Sequence, residues 1–336
     1  MTLWSRVKTV KLNDQTINDF TQIRMSKLDF HHLLLISELY QKIIKLLATV
    51  KPPGFRGISL LEVIMFFINE LKKDNIWIRS AAMAYHFFLA LFPALIFLLT
   101  LIPYVPINGL EKDAEVIGRS IIPPATFELI WPTVKGIVSD KKAGLLSFSF
   151  ILTLFLAAQG VYVMMVAFYK DSLAFVRRDF VRERLVAILL VIIETLVLIL
   201  TFVIHVFGKS MIDFLVFNGF ISHSIFPFFL SGLKWFIVLI MVFFGVSFIY
   251  YIAPSVIKRW LFISPGSIIA FLLITLATGA FFYYVSNFAN YNKIYGSLGA
   301  IVILMIWFYW ISFAILIGFE LNTSIDHAFL KRVETE

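Results

Sequence analysis

Six long apolar runs, separated by charged, glycine or proline breaks, account for most of this chain. They cover about residues 79–104, 143–169, 185–207, 233–253, 265–287 and 298–321. Each supplies the roughly 20 residues a helix needs to cross the hydrocarbon core of a bilayer. Their unequal lengths predict tilt or extension beyond the bilayer. Pro93 lies inside the first run and predicts a kink there, because it lacks a backbone donor and crowds the preceding turn. Ahead of that run, Ile58 to Leu71 is apolar but interrupted by Glu62, Asn69 and Glu70, and Lys72 and Lys73 follow. Too short to span, it predicts an interfacial helix with its lysines near anionic headgroups. The longest connection, 105–142, opens on Glu111, Asp113 and Glu115, passes Pro123-Pro124 and becomes apolar over 125–138. This pattern predicts two short helices folded over the outer face. The first 57 residues form a mixed-charge extension with a helical stretch around Leu33 to Leu47, ending at Lys51-Pro-Pro-Gly54. The predicted organisation is an extension (1–57), a membrane domain (58–325) and a short tail (326–336).

Charge gives this all-α, six-helix arrangement an orientation. With the N-terminus inside, the inside segments hold 21 Lys and Arg and the outside loops hold 8. Lys and Arg concentrate on the cytoplasmic side of membrane proteins, so both termini are expected there. Composition agrees: 60% of the residues are hydrophobic, with 37 Phe, against about 45–50% apolar in soluble domains. The net charge of +8 comes from basic residues spread over loops rather than gathered with aromatics, which argues for lipids and against nucleic acid as partners. With no cysteine, disulfides and thiolate sites are excluded. No His-x-x-x-His or paired carboxylate occurs, so neither a metal nor a cofactor is expected. The N-terminus lacks the apolar core of a cleaved signal peptide, and the first span is expected to direct insertion.

Few polar residues interrupt the spans. A carboxylate deep in a span, Glu194, costs about 3 kcal/mol on insertion scales, so it should face protein or water. Glu194 lies ten residues from Arg184 and Gln159 ten from Tyr169, which at 1.5 Å per residue puts both about 15 Å deep. His86 lies somewhat shallower, and Thr275 and Ser312 fall near the level of Glu194. Two readings follow: a polar layer that binds a proton, a cation or a headgroup, or a protonated glutamate bonded to Gln159 or a hydroxyl that holds helices together. Glu320, at the inner edge of the last span, predicts a basic partner, most simply within Arg177 to Arg184 or on the interfacial helix. It reads as a structural clamp ahead of a substrate site, with Asn322 capping the helix. Tyr295-Gly-Ser-Leu-Gly299 reads as a tight turn in which Gly296 takes positive φ, Ser297 caps the next helix and Gly299 packs closely. An anion site at that helix start is the alternative. Ala314 and Gly318 leave room for close helix contact, and so for a homo-oligomer.

Tyr295-Gly-Ser-Leu-Gly299 with Trp307, Gly318, Glu320 and Asn322 resembles the YihY/BrkB family of bacterial inner-membrane proteins. Ala81-Ala-Met-Ala-Tyr85 with Leu91-Phe-Pro93, Ala158-Gln-Gly160 and Ser264-Pro-Gly266 are similar to its other marked stretches. Phe168-Tyr-Lys-Asp171 departs from it. The resemblance covers about residues 58–325 and implies a six-helix bundle in the inner membrane. Members of that family have been labelled ribonuclease BN or serum-resistance factors. A nuclease needs metal-binding or acid/base clusters and a basic platform, and the pattern here predicts no enzyme. A transporter or lipid-handling protein is expected, its substrate open. The alternative is a scaffold acting through its outer loop and N-terminal extension.

Overall fold

The computed structural model describes residues 41–73, 75–104, 112, 115–116, 119, 124–170, 175–176, 178–217, 226–256, 260–287 and 297–335. Residues 41–49 are helical, and the named helices are α1 (Leu60–Lys73), α2 (Ile76–Leu101), α3 (Pro124–Val138), α4 (Ala143–Ala167), α5 (Phe180–Phe217), α6 (Phe226–Ile252), α7 (Pro265–Asn287) and α8 (Ser297–Thr335). A 3-10 turn, Ile102–Tyr104, extends α2. No strand occurs among the described residues; a single antiparallel bridge joins Phe175 to Val256. Most of the extension, including 33–40, the residues Arg177 and His223, and the turn residues Tyr295 and Gly296 lie outside the described residues.

Among the described residues, six helices are long and apolar enough to cross a membrane: α2, α4, α5, α6, α7 and α8. All six predicted spans are therefore helices, but two run well past their apolar limits. Helix α5 starts at Phe180 and reaches 38 residues, and α8 reaches 39. At 1.5 Å per residue each is nearly 60 Å long, about twice the hydrocarbon thickness. Hydropathy stops at a charge, whereas a helix does not, since Arg, Glu and Lys are good helix formers. Asn322 consequently sits in the middle of α8 rather than at its end. In the connection 105–142, α3 is the predicted second helix; Pro124 stands at its first position, where a missing N–H is harmless. Arg119 pairs there with Glu128 at 2.8 Å and Glu115 at 3.1 Å and lies over the buried Phe127 ring.

The chain divides into two compact units, Asp74–Glu320 and Met1–Lys73 with Leu321–Glu336. In the first, α2 packs on α4, α4 on α5, α5 on α6 and α6 on α7. Small residues let these helices approach: at Gly160 a β-carbon would press into the Phe87 ring of α2. Helix α2 runs unbroken through the buried Pro93. Large apolar side chains such as Phe148, Ile151, Leu196 and Leu276 point outward and are 60–70% exposed, as lipid-facing positions must be and as soluble surfaces rarely are. In the second unit, Phe55, Ile58 and Val63 form a small core with Ile325 and Ala328, flanked by Phe66, Leu321 and Phe329. One apolar side of α1, the segment expected to be an interfacial helix, thus packs on the chain's own C-terminal segment.

Candidate functional site

Glu320 has two basic partners, and neither comes from the predicted set. The first turn of α2 presents Arg79, whose Nη1 donates to Glu320 Oε1 at 2.9 Å while Nη2 donates to the Ala167 carbonyl. Just past α4, Lys170 Nζ stands 2.8 Å from Glu320 Oε2. Glu320 is wholly buried and Lys170 nearly so. Around them Phe168 stacks flat on Phe319 at 4.5 Å, and Tyr250 donates to the Ile315 carbonyl. A methyl on Gly318 would overlap the Gly266 carbonyl and the Tyr250 hydroxyl. Gly318 and the buried Ala314 are therefore used for packing inside the chain. Two of the predicted donors are engaged elsewhere: Arg178 donates to the carbonyls of Ile252, Ala253 and Pro254 at the end of α6, and Arg184 binds Gln159. The cluster is a clamp in which Glu320 and Lys170 are buried and Arg79 is partly exposed.

The five intramembrane polar residues do not form one layer. Gln159 Oε1 accepts from Arg184 Nη1 at 2.5 Å, and the guanidinium lies 4.0 Å over the Tyr162 ring. Glu194 is ten residues further along α5, about 15 Å of helix rise. The equal depths inferred from span ends fail because α5 begins at Phe180, so Arg184 lies a full turn inside the helix and reaches Gln159. Glu194 faces α6, where a β-carbon on Gly245 would stand 2.8 Å from Oε2. Its Oε1 is buried and has no hydrogen-bond partner among the described residues. His86 packs edge-on against the Tyr85 ring at 5.4 Å. Ser312 is fully buried, its hydroxyl likewise without a partner among the described residues, and Thr275 is half-buried. Gly245 went unmarked in the sequence, where a lone glycine in an apolar run gives no sign of the carboxylate it accommodates.

A groove of about 600 Å³ opens between α7 and α8. Ala277 and Ala280 hollow it out, and Leu276, Phe281, Trp307 and Trp310 wall it. Trp307 Nε1 donates to Thr278 Oγ1 at 3.3 Å, which fixes the indole, and its ring stacks on Phe281 at 5.2 Å. At one end Phe313 stacks on Trp77 of α2 at 4.8 Å. From Val302 to Ala314 the lining of α8 runs about 18 Å along the helix. Volume and lining both suit a small-molecule or lipid-chain site, apolar with few polar groups. A second hollow, of about 270 Å³, lies beside Arg79 between α2 and α4. No cluster of three His, Asp or Glu able to hold a metal occurs among the described residues.

Six membrane-length helices with an apolar intramembrane groove and a buried ionic clamp define a multi-pass, all-α membrane protein. Residues 67–336 match the family described as virulence factor BrkB, and the chain belongs to that family. It is 31% identical over 244 residues to the ribonuclease-like protein YfkH of Bacillus subtilis, a match covering 73% of this chain and 88% of that protein. It is 35% identical over 88 residues to a UPF0761 membrane protein of Tolumonas auensis (26% of this chain, 29% of that protein). A UPF0761 membrane protein of Xanthomonas axonopodis is 34% identical over 83 residues (24% and 19%). No solved structure matches the chain.

Proposed function

We propose that this protein binds and handles an amphiphile with a long apolar part, a lipid or lipid-like molecule, in the groove between α7 and α8. One observation carries the reading: a 600 Å³ hollow at membrane depth, built from alanines on α7 and a hydrogen-bonded tryptophan on α8. Lipid-facing helix surfaces usually fill such hollows with their own large side chains; here they are left open and aromatic-walled. The reading is one of binding and translocation rather than covalent chemistry, and the ribonuclease-like label stays with the relative that carries it. We place the chain in the bacterial inner membrane with both termini cytoplasmic, the side on which 21 of its 29 Lys and Arg then fall.

Filling the hollow tests the reading. Ala277→Phe with Ala280→Phe should weaken binding of a fluorescent long-chain amphiphile by the reconstituted protein about tenfold or more, since burying one phenyl-sized group is worth about 1.5–3 kcal/mol. Unchanged binding would exclude the groove. A second reading, coupling of the cargo to a proton or cation, is favoured by Glu194 Oε1, which has no hydrogen-bond partner among the described residues. Under it Glu194→Gln abolishes any dependence on a proton or cation gradient while leaving amphiphile binding intact.

A further inference from the structure

Helix α1 has two apolar sides, and the fold uses one. At 100° per residue, Val63, Phe66 and Glu70 fall within about 60° of one another, and Leu61, Met65, Ile68 and Lys72 fall on the opposite side. The first side packs on Ile325, Ala328 and Phe329, with Glu70 3.8 Å from His327. On the second, Met65 and Ile68 are 38% and 44% exposed, and Lys72 is exposed beyond them. The helical residues 41–49 repeat the pattern. Ile43, Leu46 and Val50 are exposed along one stripe, with Lys42 and Lys45 exposed on its flank and Lys51 after it. The Leu60 N–H donates to the Val50 carbonyl at 2.9 Å, which ties the two stripes together at their junction. This unit is joined to the bilayer twice by chain continuity: α1 ends at Lys73, three residues before α2 begins, and α8 enters it as an unbroken helix.

We propose that this unit docks on an anionic membrane surface through both stripes. Leu61, Met65, Ile68, Ile43, Leu46 and Val50 enter the interfacial layer, while Lys42, Lys45 and Lys72 engage anionic headgroups. An apolar stripe bordered by lysines is the pattern that headgroup attraction and interfacial burial jointly favour. The membrane is the occupant because two connections hold the unit within a few residues of it, and because the exposed border is basic.

The chain contains no cysteine, so single spin labels can be placed in the full-length protein without background. Leu46→Cys and Ile68→Cys report on the stripes, and Gln41→Cys, exposed on the side of helix 41–49 opposite Ile43, Leu46 and Val50, is the control. In phosphatidylcholine vesicles containing one third phosphatidylglycerol, labels at 46 and 68 should collide preferentially with oxygen, and the label at 41 with a water-soluble nickel complex. Replacing Lys42, Lys45 and Lys72 together with Gln should lower the docked-to-undocked ratio about 100-fold in those vesicles, at roughly one kcal/mol per lysine. It should change nothing in pure phosphatidylcholine. Equal nickel accessibility at 41, 46 and 68 in anionic vesicles would overturn the proposal. So would shielding of 46 and 68 from both reagents, since protein would then cover the stripes.

Discussion

Glu320 is buried from water, so cations must replace the hydration its carboxylate gives up. Arg79 and Lys170 do so at 2.9 and 2.8 Å. Removing one member of such a buried group leaves an uncompensated charge and costs about 3–5 kcal/mol. Glu320→Gln, which keeps the shape and deletes the charge, should therefore lower unfolding stability in detergent by about 3 kcal/mol. A loss below about 1 kcal/mol, accompanied by lost amphiphile handling, would recast Glu320 as a substrate group. Gly318 makes a related point through sterics. Gly318→Ala drives a methyl into the Gly266 carbonyl, a backbone atom that cannot move alone, and should cost about 1–3 kcal/mol. Gly279→Ala, where a β-carbon meets nothing within 4 Å, should be neutral or slightly stabilising through helix propensity. The difference between the two midpoints is the measurement.

At the scale of elements, the basic connection after α4 does several separate jobs. Arg178 satisfies three carbonyls at the exit of α6, the orphan acceptors that any helix leaves at its C-terminus. The Val176 N–H donates to the Ser255 carbonyl at 2.8 Å and closes the connection against the one after α6. Arg178→Ala should free both, accelerating amide exchange at Val176 and costing about 2 kcal/mol, as expected for hydrogen bonds to a charged group. Unaltered exchange at Val176 would show that the bridge holds without the arginine. From sequence the block Lys170 to Arg184 was legible as basic and as a topology signal. Its division of labour was not, because net charge says nothing of which carbonyl or carboxylate each side chain meets. Arg79 illustrates the same limit: a residue that marks the edge of a hydropathy run is also the clamp's principal donor.

For the whole molecule, periodicity and run length were enough to place six spanning helices, the short α1 and the helix over 124–138. These features depend on properties local to each segment. The pairing of helices was not legible, since α5 against α6 or α7 beside α8 depends on how small and large side chains complement one another across elements. Glu194 was identifiable by its cost in hydrocarbon; its neighbour Gly245 was not. The groove escaped notice for the same reason, because Ala277, Ala280, Trp307 and Trp310 read individually as ordinary membrane residues and become a cavity only when α7 and α8 are set side by side. On the proposed reading this cavity holds the apolar chain of an amphiphile. Photocrosslinking with a phospholipid carrying a diazirine in its acyl chain, followed by peptide mapping of the reconstituted protein, tests it most directly. Adducts should concentrate on 273–284 and 302–314 and be lost in the Ala277→Phe, Ala280→Phe variant. Adducts spread evenly over the outward faces of all six spans, and unchanged in that variant, would contradict it.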